Sequence, residues 1–280
     1  MCLLMAVKVG DILDNKNMSK TSALNKDLRR KIVDMVIAGK DGHIPSAFSI
    51  VDIITLLYRD ILKFDVKNPD WQDRDYFILS KGHGCLALYV NLHRHGFITD
   101  HDIEMFCKQG GILGEHPDRT KIPGIEASTG SLGHGLSFAI GIALGLKIQA
   151  LNNRMFVLLG DGECQEGTVW EAVNVARNRK LGNLCAIVDW NQSAMQLLPE
   201  DDMPKKWAAF GWNVHVVDGH NEKEILEALK KIEFKNDGIP SVIIAKTIKG
   251  KGVALLEGHG IWHHKIPNNQ EYAEIMEVLS

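Results

Sequence analysis

Little in this chain points to a membrane, a nucleic acid or an oxidising compartment. No apolar run reaches the roughly 18 residues that a membrane span needs. The first residues, MCLLMAV, lack the basic stretch of a signal peptide. The five cysteines are odd in number and scattered, with no C-x-x-C pair. That argues against a disulfide framework and fits reduced thiols in cytoplasm. Charge of one sign is also missing: 32 basic against 35 acidic residues leave a net −3, so no basic surplus is available for nucleic acid or an anionic membrane. There is no internal repeat or low-complexity segment. What remains is an ordinary globular composition, 45% hydrophobic and 24% charged over 280 residues, enough for one large core or two small ones.

The stretch from Met155 to Asn191 organises the rest. Met155 to Leu159 is an apolar run of strand length, and Gly160-Asp161-Gly162 stops it. A helical segment follows, with Val169, Val173 and Ala176 on one stripe. A second apolar run, Leu184 to Val188, ends at Asp189 and Asn191. Parallel strands need such a crossover, so this reads as one β-α-β unit. Asp161 and Asn191 then fall at the carboxyl ends of neighbouring strands, where open parallel sheets bind ligands. Their oxygens are hard ligands of the kind Mg²⁺ or Ca²⁺ prefers. Gly162 lets backbone approach closely, with an N–H available to a phosphate. The plainer alternative is a hairpin turn with an exposed aspartate, because Asp-Gly is a common turn pair.

Elsewhere, helices and strands alternate. Leu24, Leu28, Ile32 and Val36 mark a helix face that Gly39 ends. Gly42 to Ser46 reads as a loop. Ser49 is placed to cap the next helix, with Asp52 completing a capping box. Tyr76 to Leu79 is a short strand, followed by a helix from Cys85 to His95 and another over 99–108 with Thr99 as cap. Residues 109–135 are rich in glycine and proline and too long for an idle connection. Leu136, Ile140, Leu144 and Ile148 suggest a helix, with Gly141 and Gly145 allowing close helix contact. Further strands are expected at Val214 to Val217 and Val242 to Ala245, and helices before Phe210, at Ile225 to Ile232 and at Gln270 to Leu279. The pattern argues for an α/β fold, a mostly parallel sheet flanked by helices. Residues 1–21 are taken as an N-terminal arm and 22–280 as the domain.

Four histidines stand in glycine-rich loops: His43 in DGHIPS, His83 in SKGHG, His116 in GEHPD and His263 in GIWHHK. One loop histidine alone is more often solvated than functional. Four at element ends suggest a pocket, since imidazole holds phosphate or trades protons with a sugar hydroxyl near neutral pH.

Gly160-Asp161-Gly162, Glu166-Gly167, Trp170-Glu171-Ala172 and Asn191 together resemble the thiamin diphosphate motif. The sequence is similar to the transketolase family, specifically its short form that carries only the diphosphate-binding half, from about residue 22 to 265. The resemblance implies the thiamin diphosphate-binding fold of the diphosphate (PP) domain. It implies that Asp161 and Asn191 bind Mg²⁺ or Ca²⁺ by side chains and Ser193 by its carbonyl. It places His83, Gly130, Leu132, Asp161, Gly162, Glu163, Asn191 and His263 at the cofactor, with Leu132 wedging its two rings into a bent form. His43, His116 and His263 would line the reacting carbon as catalytic residues, with His264 the adjacent alternative to His263. Glu166 matches a glutamate at the family's subunit interface.

The family's activating glutamate belongs to a pyrimidine-binding domain, and this chain ends before one could begin. The resemblance therefore implies a separate partner subunit, in an α2β2 heterotetramer, and a small-molecule sugar substrate. The implied reaction transfers a two-carbon ketol unit from a ketose or ketose phosphate to an aldehyde. One departure stands out: Gln192 to Pro199 lacks the family's Asp-Gly pair and is more apolar, which leaves a specialised sugar or a carrier-bound acyl group open. The rival readings are an acyloin-forming or 2-oxoacid-decarboxylating thiamin diphosphate enzyme, and a non-catalytic scaffold paralogue. A nicotinamide-binding domain would need a G-x-G-x-x-G turn that is lacking after the first strand.

Overall fold

The structure, a computed structural model, describes residues 9–195, 198–199, 202–258 and 260–280, with only the backbone of 9–22. The first eight residues of the expected arm, and residues 196 and 197 of the departing segment, lie outside the described residues. In chain order the elements are α1 (Val9–Gly39), α2 (Ile44–Phe48), α3 (Val51–Leu56), β1 (Tyr76–Leu79), α4 (Cys85–His95), α5 (Asp100–Glu104), α6 (Gly135–Ile148), β2 (Met155–Gly160), α7 (Gly167–Asn178), β3 (Leu184–Trp190), α8 (Met203–Ala209), β4 (Asn213–Asp218), α9 (Glu222–Lys231), β5 (Ser241–Lys246) and α10 (Asn269–Val278).

The five strands form one sheet in the order β1-β2-β3-β5-β4, and every pairing is parallel. All six residues of β2 are buried, as a central parallel strand covered on both faces requires. Alternate residues feed two cores. Phe156, Leu158, Cys185, Ile187 and Ile243 face one side, with Ile32, Ile53, Leu86 and Leu229 from helices. Val157, Leu159, Ala186, Val188 and Ile244 face the other, with Ala139, Val173 and Trp207. A layer of helices therefore covers each face of the sheet.

The β-α-β unit forms as expected: β2 and β3 are adjacent, and Gly160 is in register with Asp189. Thr99 caps α5 with a full capping box completed by Asp102, although that helix is five residues long, shorter than the expected span. Three local expectations fail. Residues 44–48 are helical, entered through Pro45 in its first turn. Ser49 caps nothing: Ile50 is the N-cap of α3 and makes no side-chain cap bond, while the Ser49 hydroxyl donates to Asp189 at 2.8 Å. The stripe on α6 also drifts. Four residues advance roughly 400° around a helix, so each step of four slips by about 40°. Leu136 and Ile140 of that run are buried, together with Ala139, Ala143 and Leu146, while Ile148 is 76% and Phe138 52% exposed. A Cβ on Gly141 or Gly145 would meet nothing within 4 Å, so the close contact expected there is not made among the described residues.

Candidate active site

The carboxyl edge of the sheet gathers the polar residues. β3 delivers Asp189, which is fully buried. Its carboxylate accepts from Lys81 Nζ at 2.5 Å, from Ser49 at 2.8 Å, from Asn191 Nδ2 at 2.9 Å and from the Thr247 hydroxyl. Burial alone would raise this carboxyl, but Lys81, Thr247 and Ser49 hold it below the usual range. Lys81 is itself 1% exposed. Sequence reading missed this pair, because its members lie 108 residues apart and neither stands out locally.

Asp161, one residue beyond β2, is bonded differently. Its Oδ1 accepts the Gly162 N–H at 2.7 Å, so that N–H is engaged within the chain. Its Oδ2 is buried and has no hydrogen-bond partner. Burial, and then the charge of Asp189, push its pKa up. Asn191 is held by Asp189, and its Oδ1 accepts the Ser193 N–H at 3.0 Å. This leaves a desolvated carboxylate oxygen just past β2 and an amide oxygen just past β3, donor types that fit a hard divalent cation.

Glu163 has a role within the chain. Its carboxylate accepts from the Ser80 hydroxyl, from Gly133 N at 2.9 Å and from Gly160 N at 3.2 Å. It thus ties the end of β1 and the end of β2 to the TGSLG loop, and burial raises its pKa. The same loop is held by the Thr129 hydroxyl, which donates to Leu79 O at 2.8 Å. Gly82 permits that approach, since a Cβ there would lie 2.8 Å from Gly130 N. Gly130, at φ +149°, packs so closely on His116 that a Cβ would sit 3.0 Å from Cδ2 of its ring. Leu132 is half-buried in this loop and Glu166 is exposed at the N-cap of α7.

Three of the four loop histidines, His43, His83 and His263, converge and are joined by His264, while His116 packs on Gly130 and acts on His43 through its charge. The His43 ring lies 5.4 Å from those of His83 and His263 and 4.5 Å from that of His264, between centroids. His83 and His263 are 6.1 Å apart. The two adjacent histidines point to different neighbours. His263 Nδ1 lies 2.8 Å from Lys249 Nζ, whereas His264 Nε2 lies 2.9 Å from Asp41 and 3.3 Å from Glu115. His263 therefore faces the basic end of the pocket and His264 its acidic rim. Burial, followed by the charges of His264, His263 and His116, lowers His43 to about 4. Burial and Lys81 depress His83 strongly, and burial with Lys249 lowers His263. These three imidazoles are neutral near neutral pH and free to accept or pass a proton. Lys249 is buried, with its pKa lowered by burial and Lys81. Lys249, Glu115 and His264 are site residues that sequence reading left without roles. Only the glycine-flanked KGKG run and the doubled histidine hinted at them.

Fold and edge together define an α/β domain whose sheet edge gathers carboxylate, amide and lysine groups beside a cluster of neutral imidazoles. Residues 20–279 match the family described as transketolase, thiamine diphosphate binding domain. An apulose-4-phosphate transketolase subunit from Phocaeicola vulgatus is 37% identical over 257 residues, covering 90% of this chain and 91% of that protein. The 6-deoxy-6-sulfo-D-fructose transketolase subunit SqwG from a Clostridium species is 39% identical over 243 residues, covering 85% and 88%. The structure of transketolase from Leishmania mexicana superposes with a TM-score of 0.86 at 28% identity, covering 92% of this chain but 41% of its own. The chain belongs to the transketolase family, matching its thiamine diphosphate-binding domain. No helix among the described residues is long and apolar enough to cross a membrane.

Proposed function

We propose that this chain is the diphosphate-binding subunit of a two-part, cytoplasmic transketolase that moves a two-carbon ketol unit from a ketose, or its phosphate, to an aldehyde. The single observation that carries the reading is the buried, unpartnered Oδ2 of Asp161, at the sheet edge where Lys81 and Lys249 concentrate positive charge. The side chains of Asp161 and Asn191 and the Ser193 carbonyl would hold Mg²⁺ or Ca²⁺. His83, His263, Gly130, Leu132 and Gly162 would border the cofactor, with Glu163 acting through the backbone it positions. Bound there, thiamin diphosphate supplies a nucleophilic carbon able to cleave a ketose beside its carbonyl.

The chain's own residues do the rest. His43 and His263 are neutral near neutral pH, so together with His116 they can accept a hydrogen bond from a donor hydroxyl and take its proton. Asp41 and Glu115 at the rim accept from further hydroxyls and repel a carboxylate, which favours a polyol over a 2-oxoacid. The partner would supply the pyrimidine-side glutamate, with Glu166 near the contact, in an α2β2 assembly. The exposed apolar face of α6, from Phe138 to Ile148, supports a covering subunit, because a helix apolar on all sides is ordinarily buried.

Titration calorimetry of thiamin diphosphate with Mg²⁺, into the chain alone and with its partner, tests this. Binding that strengthens with the partner and fails in Asp161→Ala is expected. No binding in either case would leave a scaffold paralogue as the better account.

A further inference from the structure

A second group of ligand atoms lies outside the Asp161–Asn191 pair. One nitrogen each from His43 and His264 and one oxygen from Glu115 lie within 4.8 Å of one another. Glu115 Oε1 is 3.5 Å from His43 Nδ1 and 3.3 Å from His264 Nε2. With metal–ligand bonds of about 2.0–2.1 Å, ligands around a tetrahedral zinc stand roughly 3.3 Å apart. Two edges of the group therefore already have the required length. The third, within 4.8 Å, would have to close by rotation of His264, whose side chain is 49% exposed. His43 Nδ1 is buried and has no hydrogen-bond partner, so one donor already lacks a protein group to satisfy it. Asp41 Oδ1, 2.9 Å from His264 Nε2, stands at the open side.

We propose that His43, Glu115 and His264 form a second cation site at the rim of the pocket, one that takes a borderline-soft divalent ion of the zinc class. Two imidazoles and one carboxylate suit zinc, nickel or copper, whereas the all-oxygen set at Asp161 and Asn191 suits magnesium or calcium. The two sites thus divide cations by chemistry. His43 also borders the space assigned to the donor, so zinc there would exclude a ketose. That consequence rests on the transketolase reading, while the binding itself does not.

The test is calorimetric titration of Zn²⁺ into the full chain with Mg²⁺ in excess, and the visible absorption of Co²⁺ in the same samples. One equivalent of Zn²⁺ and an intense tetrahedral Co²⁺ band are expected. His264→Ala and Glu115→Gln should each weaken zinc by more than about tenfold and lose the band, while Asp161→Asn keeps both. His264 is exposed, and an unchanged thermal midpoint in His264→Ala would confirm an intact fold. Unchanged zinc affinity in both rim variants, or loss of binding in Asp161→Asn alone, would overturn the assignment, and the cofactor reading would stand regardless.

Discussion

Asp161 and Asp189 sit at the same edge of the sheet, one just past β2 and the other in β3, with the Asp161 N–H donating to the Asp189 carbonyl at 3.1 Å. Both are buried, yet their surroundings differ. Asp189 accepts from Lys81, Ser49, Asn191 and Thr247, and its acidity is strengthened. Asp161 accepts from the Gly162 N–H, feels the Gln192 N–H as well and keeps Oδ2 without a hydrogen-bond partner, and its acidity is weakened, chiefly by burial. A buried carboxylate whose lone pairs are all met by protein belongs to the architecture. One left partly unmet belongs to whatever binds there.

The largest effect should come from breaking the satisfied member. Asp189→Asn leaves the Lys81 ammonium buried without its counter-charge, which should cost roughly 3–5 kcal/mol. Thermal unfolding followed by circular dichroism measures it, and a loss under about 1 kcal/mol would show that Lys81 finds another partner. Asp161→Asn should do the reverse. Asn can still accept from Gly162, so the cofactor-free chain should keep its stability or gain slightly from losing a desolvated charge. Its affinity for thiamin diphosphate with Mg²⁺ should fall about 100-fold, near 2.7 kcal/mol, as read by calorimetry.

The same contrast should appear in pH dependence. His43 titrates near 4 in the fold and near 6.5 when unfolded. Between those values the unfolded chain holds more protons, so stability falls as the medium is acidified. After allowance for solvent screening the loss is about 1 kcal/mol, and His43→Asn should flatten it in melts taken from pH 7 to pH 4. Asp161, with a raised pKa, acts with the opposite sign: acid neutralises a charge that the fold buries at a cost. Asp161→Asn should therefore steepen the acid loss. The smallest effect is expected at Ser193. Its proposed ligand is the backbone carbonyl, so Ser193→Ala should change cofactor affinity by less than about threefold, under ~0.7 kcal/mol, in the same titration.

The sheet was legible because parallel strands buried on both faces write themselves as apolar runs, and Met155 to Leu159 and Leu184 to Val188 are such runs. The proposed ligand pair, Asp161 and Asn191, could be picked out for the same reason, since it follows where those runs stop. Contacts that skip across the chain were not. Ser49 and Asp52 have the local spacing of a capping box, but tertiary partners outbid it: Ser49 turns to Asp189, 140 residues away. Asp52 is held by a bidentate Arg29 and by His220. The four-residue spacing in α6 marked a helix, which forms, but its angular drift carries Ile148 into solvent. Lys81 looked like one more charged residue in a glycine turn, because nothing local marks a lysine that will be enclosed.

The wiring of Asp189 has a consequence for the chain while it is being made. Its four side-chain partners come from positions 49, 81, 191 and 247, and β5, which flanks β3, spans 241–246. A nascent polypeptide that has emerged only as far as β3 cannot enclose Lys81 and Asp189 together. The pocket is thus a late product of synthesis, assembled when the last strand slots between β3 and β4. Truncated translation products should be blind to the cofactor, and ligand capture can serve as a check that synthesis has run to the end of the sheet.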